Sequence, residues 1–483
     1  MAKNKNKQQI NPAPKPVQAN PVKKEMPSRN VSFEEVQAED SSWTAKLTRG
    51  YMPYIIIALL GIGIYCNTFN AQFALDDDIV ICKNEYVLQG MQGIPDIFSK
   101  DLFDSFYKQM NTTAQLAGGR YRPLSVATFA IEQEFIGTRE NANFEKNIWD
   151  ANKNGKEDVS EDVNGDGVYN DKDYRNRGFG MRHINNVLIY ILAVSMLFIF
   201  LSTVVFKQNK LLALIISLLF LAHPIHTEVV ANVKSRDEIM SLLFMLLTLI
   251  LAYKYESQRS FKLLVFICLS FICALLSKEY GATLLILLPL SLFLFGREKF
   301  EMKHLVPLIA GLLITFVIYY GIRSGIVIGA SNLQDKELMN NPYLLADDTQ
   351  KLATKLFIFL KYFATIVFPH PLSSDYGYNS IPYKDFSDFR VWLSILLLIA
   401  MVAGAFLSFK RKSWMAFAIG FYLLTILLVT NLIFNVGATM GERLVFHASL
   451  GYCMVLGFAL VWVADKLKNK TVALYLAIPI LLL

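Results

Sequence analysis

Charge is scarce in this sequence, and so is cysteine. Of 483 residues only 18% are charged while 54% are apolar, and the mean hydropathy is +0.36. Soluble domains carry about 25% charged residues, so a soluble fold is excluded. The five cysteines include no CxxC pair: Cys66, Cys268, Cys273 and Cys453 lie in apolar runs, and Cys82 stands alone in a polar stretch. Neither a disulfide framework nor a zinc site is implied. The net charge of +7 collects in an N-terminal tail and in short connectors between apolar runs. This is the distribution of a membrane protein rather than of a nucleic-acid binder.

What the chain does have is apolar runs. A spanning helix needs roughly 20 mostly apolar residues, and about eleven runs approach this, predicting an all-α polytopic membrane protein. Residues 1–50 are rich in Lys, Asn, Gln and Pro and lack the apolar core of a signal peptide, so they read as a disordered basic cytoplasmic tail. The run at 53–69 then leaves the cytoplasm, and the polar stretch 70–182 becomes a large first extracytoplasmic loop, long enough to hold chemistry. Further runs lie at 184–206, 211–222, 239–253, 263–276, 282–295, 305–320, 391–409, 414–430 and 444–464. Basic connectors near Lys254, Lys262, 297–303, 410–412 and 466–470 fix the cytoplasmic side. Residues 351–369, broken by Lys355 and Lys361, are then flanked by extracytoplasmic segments and read as an interfacial or re-entrant helix.

The residues able to do chemistry are few and clustered. Asp76, Asp77 and Asp78 follow the first run; carboxylates there can act as a general base, hold a metal or hydrate a helix end. Arg120 and Arg122 come later in the loop, and His183 heads the next run. Paired arginines suit a phosphate, which guanidinium grips in a bidentate way, and equally suit interfacial snorkelling. His223, His226, Glu228, Lys234, Arg236, Asp237 and Glu238 form a denser group, and such groups beside apolar runs are destabilising unless they line a wet cavity. Pro224 works against a shared helical face for the two histidines as metal ligands. Lys278 with Glu279, and Glu442 with Arg443, each read as a neutralised internal pair or as half of an anionic-substrate site.

In order, FALDDDIVICKN, RYRPL, RHINNVL, HPIHTEVVANVKSRDE, LSKEYGATLL, PLSSDYGYNSIP and NLIFNVGATMGERLVFHASLG resemble the membrane domain of the transmembrane and TPR-repeat-containing protein O-mannosyltransferases, relatives of the GT-C glycosyltransferases. The likeness runs over 51–464. It implies a GT-C-type, inverting glycosyltransferase with about 11 transmembrane helices. Such an enzyme moves a sugar, mannose by resemblance, from a polyprenyl- or dolichyl-phosphate carrier to Ser/Thr hydroxyls of proteins outside the cytoplasm. The family's paired acids fall on Asp76 and Asp77, with Asp76 as the base that takes the acceptor proton. Arg120, Arg122, His226, Arg236, Lys278 and Arg443 are candidates to meet the charge of the leaving phosphate; His183, His223, Glu228, Glu279 and Glu442 are further site candidates. No catalytic cofactor is implied. Expected partners are the lipid-linked donor, acceptor proteins or glycans, and membrane lipids, with no nucleic acid. Residues 465–483 read as the start of a last helix, truncated before a TPR region. The rival readings are a GT-C transferase for a glycolipid or cell-envelope polysaccharide, and a non-catalytic scaffold or transporter. Against transport, no repeated half is evident and the acids gather at the outer surface.

An insertion at 150–173 departs from the family. Asp150, Asn152, Asn154, Asp158 and Glu161 place oxygen donors at alternate loop positions around Gly155, and Asp162, Asn164, Asp166, Asn170 and Asp173 repeat the scheme around Gly167. This is the calcium-loop pattern, and it predicts structural Ca²⁺, with an acidic disordered hairpin as the plain alternative. Together with the lack of a recognisable targeting signal, it favours a bacterial inner membrane with the active site facing the periplasm over the endoplasmic reticulum lumen. Asn111-Thr112-Thr113 is a glycosylation sequon in the same loop.

Overall fold

The computed structural model describes residues 43–109, 120–136, 179–296, 302–327, 338, 341–373, 375–377, 379–433 and 436–467. The calcium-loop insertion, the sequon, most of the N-terminal tail and 468–483 lie outside the described residues. Among the described residues the regular structure is helical with no strand, and those after Trp43 belong to one unit.

The helices used below are α1 (Met52–Tyr65), α2 (Glu85–Leu88), α3 (Ile94–Ser99), α4 (Asp104–Gln109), α5 (Pro123–Ile136), α6 (Phe179–Phe200), α7 (Lys210–Leu221), α8 (Thr227–Ala231), α9 (Arg236–Gln258), α10 (Phe261–Ser277), α11 (Leu284–Phe295), α12 (Met302–Val327), α13 (Asp348–Val367), α14 (Phe389–Lys410), α15 (Trp414–Leu427) and α16 (Ser449–Lys466). Among the described residues six segments are long and apolar enough to cross a membrane: Met52–Asn70, Gly180–Val205, Val233–Gln258, Leu305–Val327, Phe389–Lys410 and Ser449–Lys466. Counted as one broken span, the pair Lys210–Leu221 and Pro224–Ala231 makes a seventh, bent by 53° where Pro224 cannot continue the helix. The apolar helices Phe261–Ser277, Glu279–Phe295 and Trp414–Leu427 are shorter; fourteen to seventeen residues reach only about 21–25 Å at 1.5 Å each. α13 carries Lys351, Lys355 and Lys361 and is not among the spans. A capping box at Asp347 and Gln350 starts it, and it buries Ile358, Phe359, Tyr362 and Ile366.

Side chains on α14 show what surrounds the bundle. Trp392, Leu396, Ile399, Val402 and Phe406 stand exposed along it, an apolar face that suits lipid and would be unfavourable in water.

The two ends of the bundle differ. At one, Lys207 donates to the carbonyl of Phe295 and lies over the Tyr253 ring, Lys412 lies over Phe293, and Trp414 packs on Phe206 and Phe458. These are the basic connectors with aromatic neighbours. The other end lies one α9 length away, about 25 Å from Arg236 to Tyr253. There the helices break: at 222–235 around two 3-10 turns, at Lys278 with extended backbone, and at 441–445 in another 3-10 turn. Backbone freed from helix at membrane depth must be buried in protein or line a cavity, and here it carries the titratable side chains. Over this end sits a small helical layer from the first loop, α2 to α5, with its own core of Val80, Val87, Leu102, Phe103, Val126 and Phe129 reaching Val233.

Candidate active site

The Asp76 turn is tight. Leu75 holds φ +53, a left-handed conformation that a branched side chain seldom adopts. The two carboxylates that follow, Asp76 and Asp77, then part company. The Asp77 side chain is fully buried and accepts backbone N–H groups from Lys234 at 2.6 Å, Ala74 at 3.2 Å and Val233 at 3.3 Å. It thus clamps the 233–235 turn to the first loop. Burial pushes its carboxyl up to about 6, with the three N–H groups opposing. Asp76 remains 28% exposed at its side chain, with Lys234 Nζ and Arg443 Nη2 each 3.7 Å from its Oδ2. Burial alone would raise its carboxyl, but Lys234, Arg443 and Arg120 outweigh this and hold it below the usual range. Asp78 faces elsewhere, 2.7 Å from Lys83.

From Asp76 a chain of alternating charges runs through the broken helices. Lys234 Nζ lies 3.7 Å from Asp237, which accepts from Arg122 Nη1 at 2.8 Å. Arg122 Nη2 reaches Glu279 at 3.1 Å. Lys278 turns inward to Glu238 and lies 3.7 Å from Asp237; Glu238 is also 3.2 Å from His447 Nδ1, whose ring stacks on Tyr280. On the other side Arg443 donates twice to Glu228, from its backbone N–H and from Nη1, both at 2.9 Å. The Arg120 guanidinium has no carboxylate within 4 Å among the described residues; it lies over Phe103 and within electrostatic reach of Asp76, Arg122, Arg443 and Glu279. Lys234, Lys278, Arg120, Arg122 and Arg443 stand against Asp76, Asp237, Glu238, Glu279 and Glu228, so the cluster is close to neutral before an anion enters.

The structure therefore brings together Asp76, Arg120, Arg122, Glu228, Lys278, Glu279 and Arg443. It places other candidates apart. Arg236 is fully buried and spends its guanidinium on Asn186, Thr128, Glu132 and the carbonyl of Arg182, with Phe129 beneath it. His226 has both ring nitrogens engaged at 2.8 Å, with Tyr190 and Ser449, inside an aromatic cage of Phe220 and Phe446. His223 caps the 3-10 turn at Ile225 and meets the carbonyl of Ile366. Neither histidine has a nitrogen free for a metal, and among the described residues no His, Cys, Asp and Glu group could hold one. His183 is buried beside Phe73. Glu442 accepts from the Ser373 N–H and the Tyr376 hydroxyl, one residue from the cluster rather than in it. Lys234, Asp237 and Glu238 are cluster members that the sequence reading placed in the dense charged group without giving them a role, and His447 is a further member that it did not single out. The signal was in the motifs: the first three adjoin Arg236, and His447 follows Arg443 by one helical turn.

No family model matches the chain and no solved structure matches it. Curated proteins do. Human protein O-mannosyl-transferase TMTC4 is 24% identical over 466 residues, taking in 86% of this chain and 56% of that protein. Protein O-mannosyl-transferase F38B6.6 of Caenorhabditis elegans is 23% identical over 449 residues, 90% of this chain and 55% of its own length. Protein O-mannosyl-transferase tmtc2 of Xenopus laevis is 25% identical over 382 residues, 74% of this chain and 39% of its own length. The chain spans about half the length of the curated relatives it matches. Over most of its own length it is a multi-pass membrane protein similar to the transmembrane and TPR-containing protein O-mannosyltransferases.

Proposed function

We propose that this chain is the catalytic membrane part of a glycosyltransferase that moves a sugar, mannose by the names of its relatives, from a polyprenyl-phosphate carrier to a hydroxyl of an acceptor protein. One observation carries the reading: a partly exposed carboxylate, Asp76, stands 3.7 Å from both Lys234 and Arg443 at the break in the bundle, with the Arg120 guanidinium beside it. Base and phosphate-binding cations are the two requirements of the reaction, and here they adjoin.

In the proposed step the acceptor oxygen attacks the anomeric carbon as Asp76 takes its proton. The carbon–oxygen bond to phosphate breaks and its electron pair leaves with the carrier phosphate, inverting the carbon. Lys234, Arg443 and Arg120 meet the charge that develops there, and in a site walled by protein they act with little screening. Cations that hold Asp76 ionised in the resting site keep it ready to accept a proton. Asp77 does not touch the substrate; it fixes the backbone that carries Lys234. On this reading the shorter apolar helices also traverse the bilayer, bringing the described spans to ten, beside the about 11 of the GT-C arrangement. The site then faces away from the basic connectors, toward a bacterial periplasm, and calcium orders the 150–173 insertion.

Radiolabelled polyprenyl-phosphate mannose supplied to membranes containing the protein tests this directly. Label is expected in the protein fraction, falling at least about a hundredfold in Asp76→Asn, the lower end of general-base contributions. Label found only in lipid or polysaccharide would replace the acceptor; undiminished transfer by Asp76→Asn would remove the base.

A further inference from the structure

We propose that Glu279 is an internal stand-in for the donor phosphate, holding Arg122 in the empty site and returning after transfer to help expel the spent carrier. The inference rests on the glycosyl-transfer reading and adds a residue to it that acts through competition.

The cluster opens to solvent at two carboxylates. Side-chain exposure is 37% for Glu279 and 28% for Asp76, against 8% for Glu228, 2% for Asp237 and 0% for Glu238. A structural counter-ion would sit among the latter three. Nor does Glu279 pair with its neighbour: Lys278 has extended backbone, φ −162 and ψ 154, and turns inward to Glu238 and Asp237. Glu279 instead lies on Arg122 Nη2 at 3.1 Å. Arg122 is anchored by Asp237, and its buried Nε has no hydrogen-bond partner among the described residues. Arg120, with no carboxylate within 4 Å among the described residues, is within electrostatic reach of both openings and of Arg122. A phosphate seated between Arg120 and Arg122 would take bidentate guanidinium contacts that one carboxylate on Arg122 leaves incomplete. It would also have to displace Glu279.

That competition solves a release problem. The donor is a phosphodiester with one negative charge. The spent carrier is a monoester, carrying about −1.5 to −2 at neutral pH, so cations tuned to the donor would hold the product more tightly. A tethered carboxylate that re-enters the site weakens both and shortens the life of the product complex.

The test uses the full chain purified in detergent, with farnesyl phosphate as probe and calorimetry as readout. Glu279→Gln keeps a hydrogen-bond acceptor for Arg122 but removes the competing charge. It is expected to bind the probe about fivefold more tightly than wild type, the scale of one partly exposed charge pair. It should also be inhibited by the probe at correspondingly lower concentration during transfer. If Glu279 merely props Arg122, the variant binds more weakly or unchanged, and the proposal fails while the glycosyl-transfer reading stands. Wild type that binds no farnesyl phosphate would overturn both. Should Glu279→Gln not purify as a single species, Glu279→Ser, which also removes the charge, is held to the same comparison.

Discussion

Two ionic clusters begin two residues apart in the sequence and have opposite characters. Around Arg236 every guanidinium nitrogen is used: Nε by Asn186, Nη1 by Thr128 and Glu132, Nη2 by the Arg182 carbonyl, all within 3.2 Å and none exposed. Around Lys234 the contacts are looser. Its ammonium shares Asp76 and Asp237 at 3.7 Å each, and the cluster it joins stays partly open to solvent. A buried charge with every bond made defines one packing arrangement and has nothing left for a ligand. A charge held at ion-pair distance without short hydrogen bonds can exchange its partners for a substrate. Arginine therefore appears here in two uses: Arg236 ties α5, α6 and α9 together, whereas Arg120 and Arg443, the latter 24% exposed, belong to the partly open cluster.

The sharpest way to break this comparison is Arg236→Met. Removing the guanidinium leaves Glu132 as an unpaired carboxylate, 11% exposed and supported otherwise by Asn185. The expected loss is about 3–5 kcal/mol of stability, largely recovered in the double variant with Glu132→Gln. Unfolding in detergent measures it. Transfer per folded molecule should keep its donor KM; a raised donor KM would return Arg236 to the phosphate site.

Asp77 supplies a pH-dependent version of the same contrast. Its carboxyl is raised to about 6 by burial, above an unfolded value near 4. Between these values the folded state holds the proton more tightly than the unfolded chain, so unfolding releases it. Stability from this group is therefore fully present below about pH 4 and is lost as pH rises to about 6, by about 3 kcal/mol. Burial raises Asp101 and Glu442 as well, so they slope the same way. The difference between wild type and Asp77→Asn, in melting temperature from pH 4 to 7, isolates Asp77. An identical slope in both proteins would mean that the clamp carries its charge throughout.

Lys234→Met comes next, with transfer expected to fall about a hundredfold, the effect of removing one preorganised donor to developing charge. Asp237 retains Arg122 and Lys278, so melting should change much less than in Arg236→Met. A large loss of stability with unimpaired turnover would make Lys234 another structural knot and erase the distinction between the two clusters.

How much of this was legible in the sequence follows from where the helices break. Hydropathy marks the apolar runs because a spanning helix needs sheer length, and it marks residues 351–369 as different because Lys355 and Lys361 interrupt them. The charged motifs were legible as dense and costly to bury. Their division was not. Lys234 lies in a 3-10 turn and Arg236 begins α9, so a small change of backbone sends one to the opening and the other behind α5. Asp76 and Asp77 part in the same way, directly after the left-handed residue Leu75. The adjacency of Lys278 and Glu279 suggested a pair, but extended backbone turns neighbouring side chains to opposite faces. Sequence spacing reports partners inside regular helices, and this site is assembled from irregular backbone.

The smallest expected effect concerns the edge of the site. Glu442 precedes Arg443 and is buried, accepting the Ser373 N–H and, at 2.9 Å, the Tyr376 hydroxyl. Gly441 donates to Tyr362 of α13, and Arg443 to Glu228, so three consecutive residues tie the connector after α13 to the cluster. Tyr376→Phe deletes one bond of this set and leaves the Ser373 contact, which limits the loss to about 1 kcal/mol. Because Arg443 keeps both bonds to Glu228, kcat should stay within about threefold, and a connector at the rim should raise the acceptor KM more than the donor KM, by about fivefold at that energy. Steady-state kinetics with each substrate varied in turn separates these. A fall in kcat as large as that of Lys234→Met would place Glu442 inside the open cluster, and the boundary drawn between tied and exchangeable charges would have to move outward to include it.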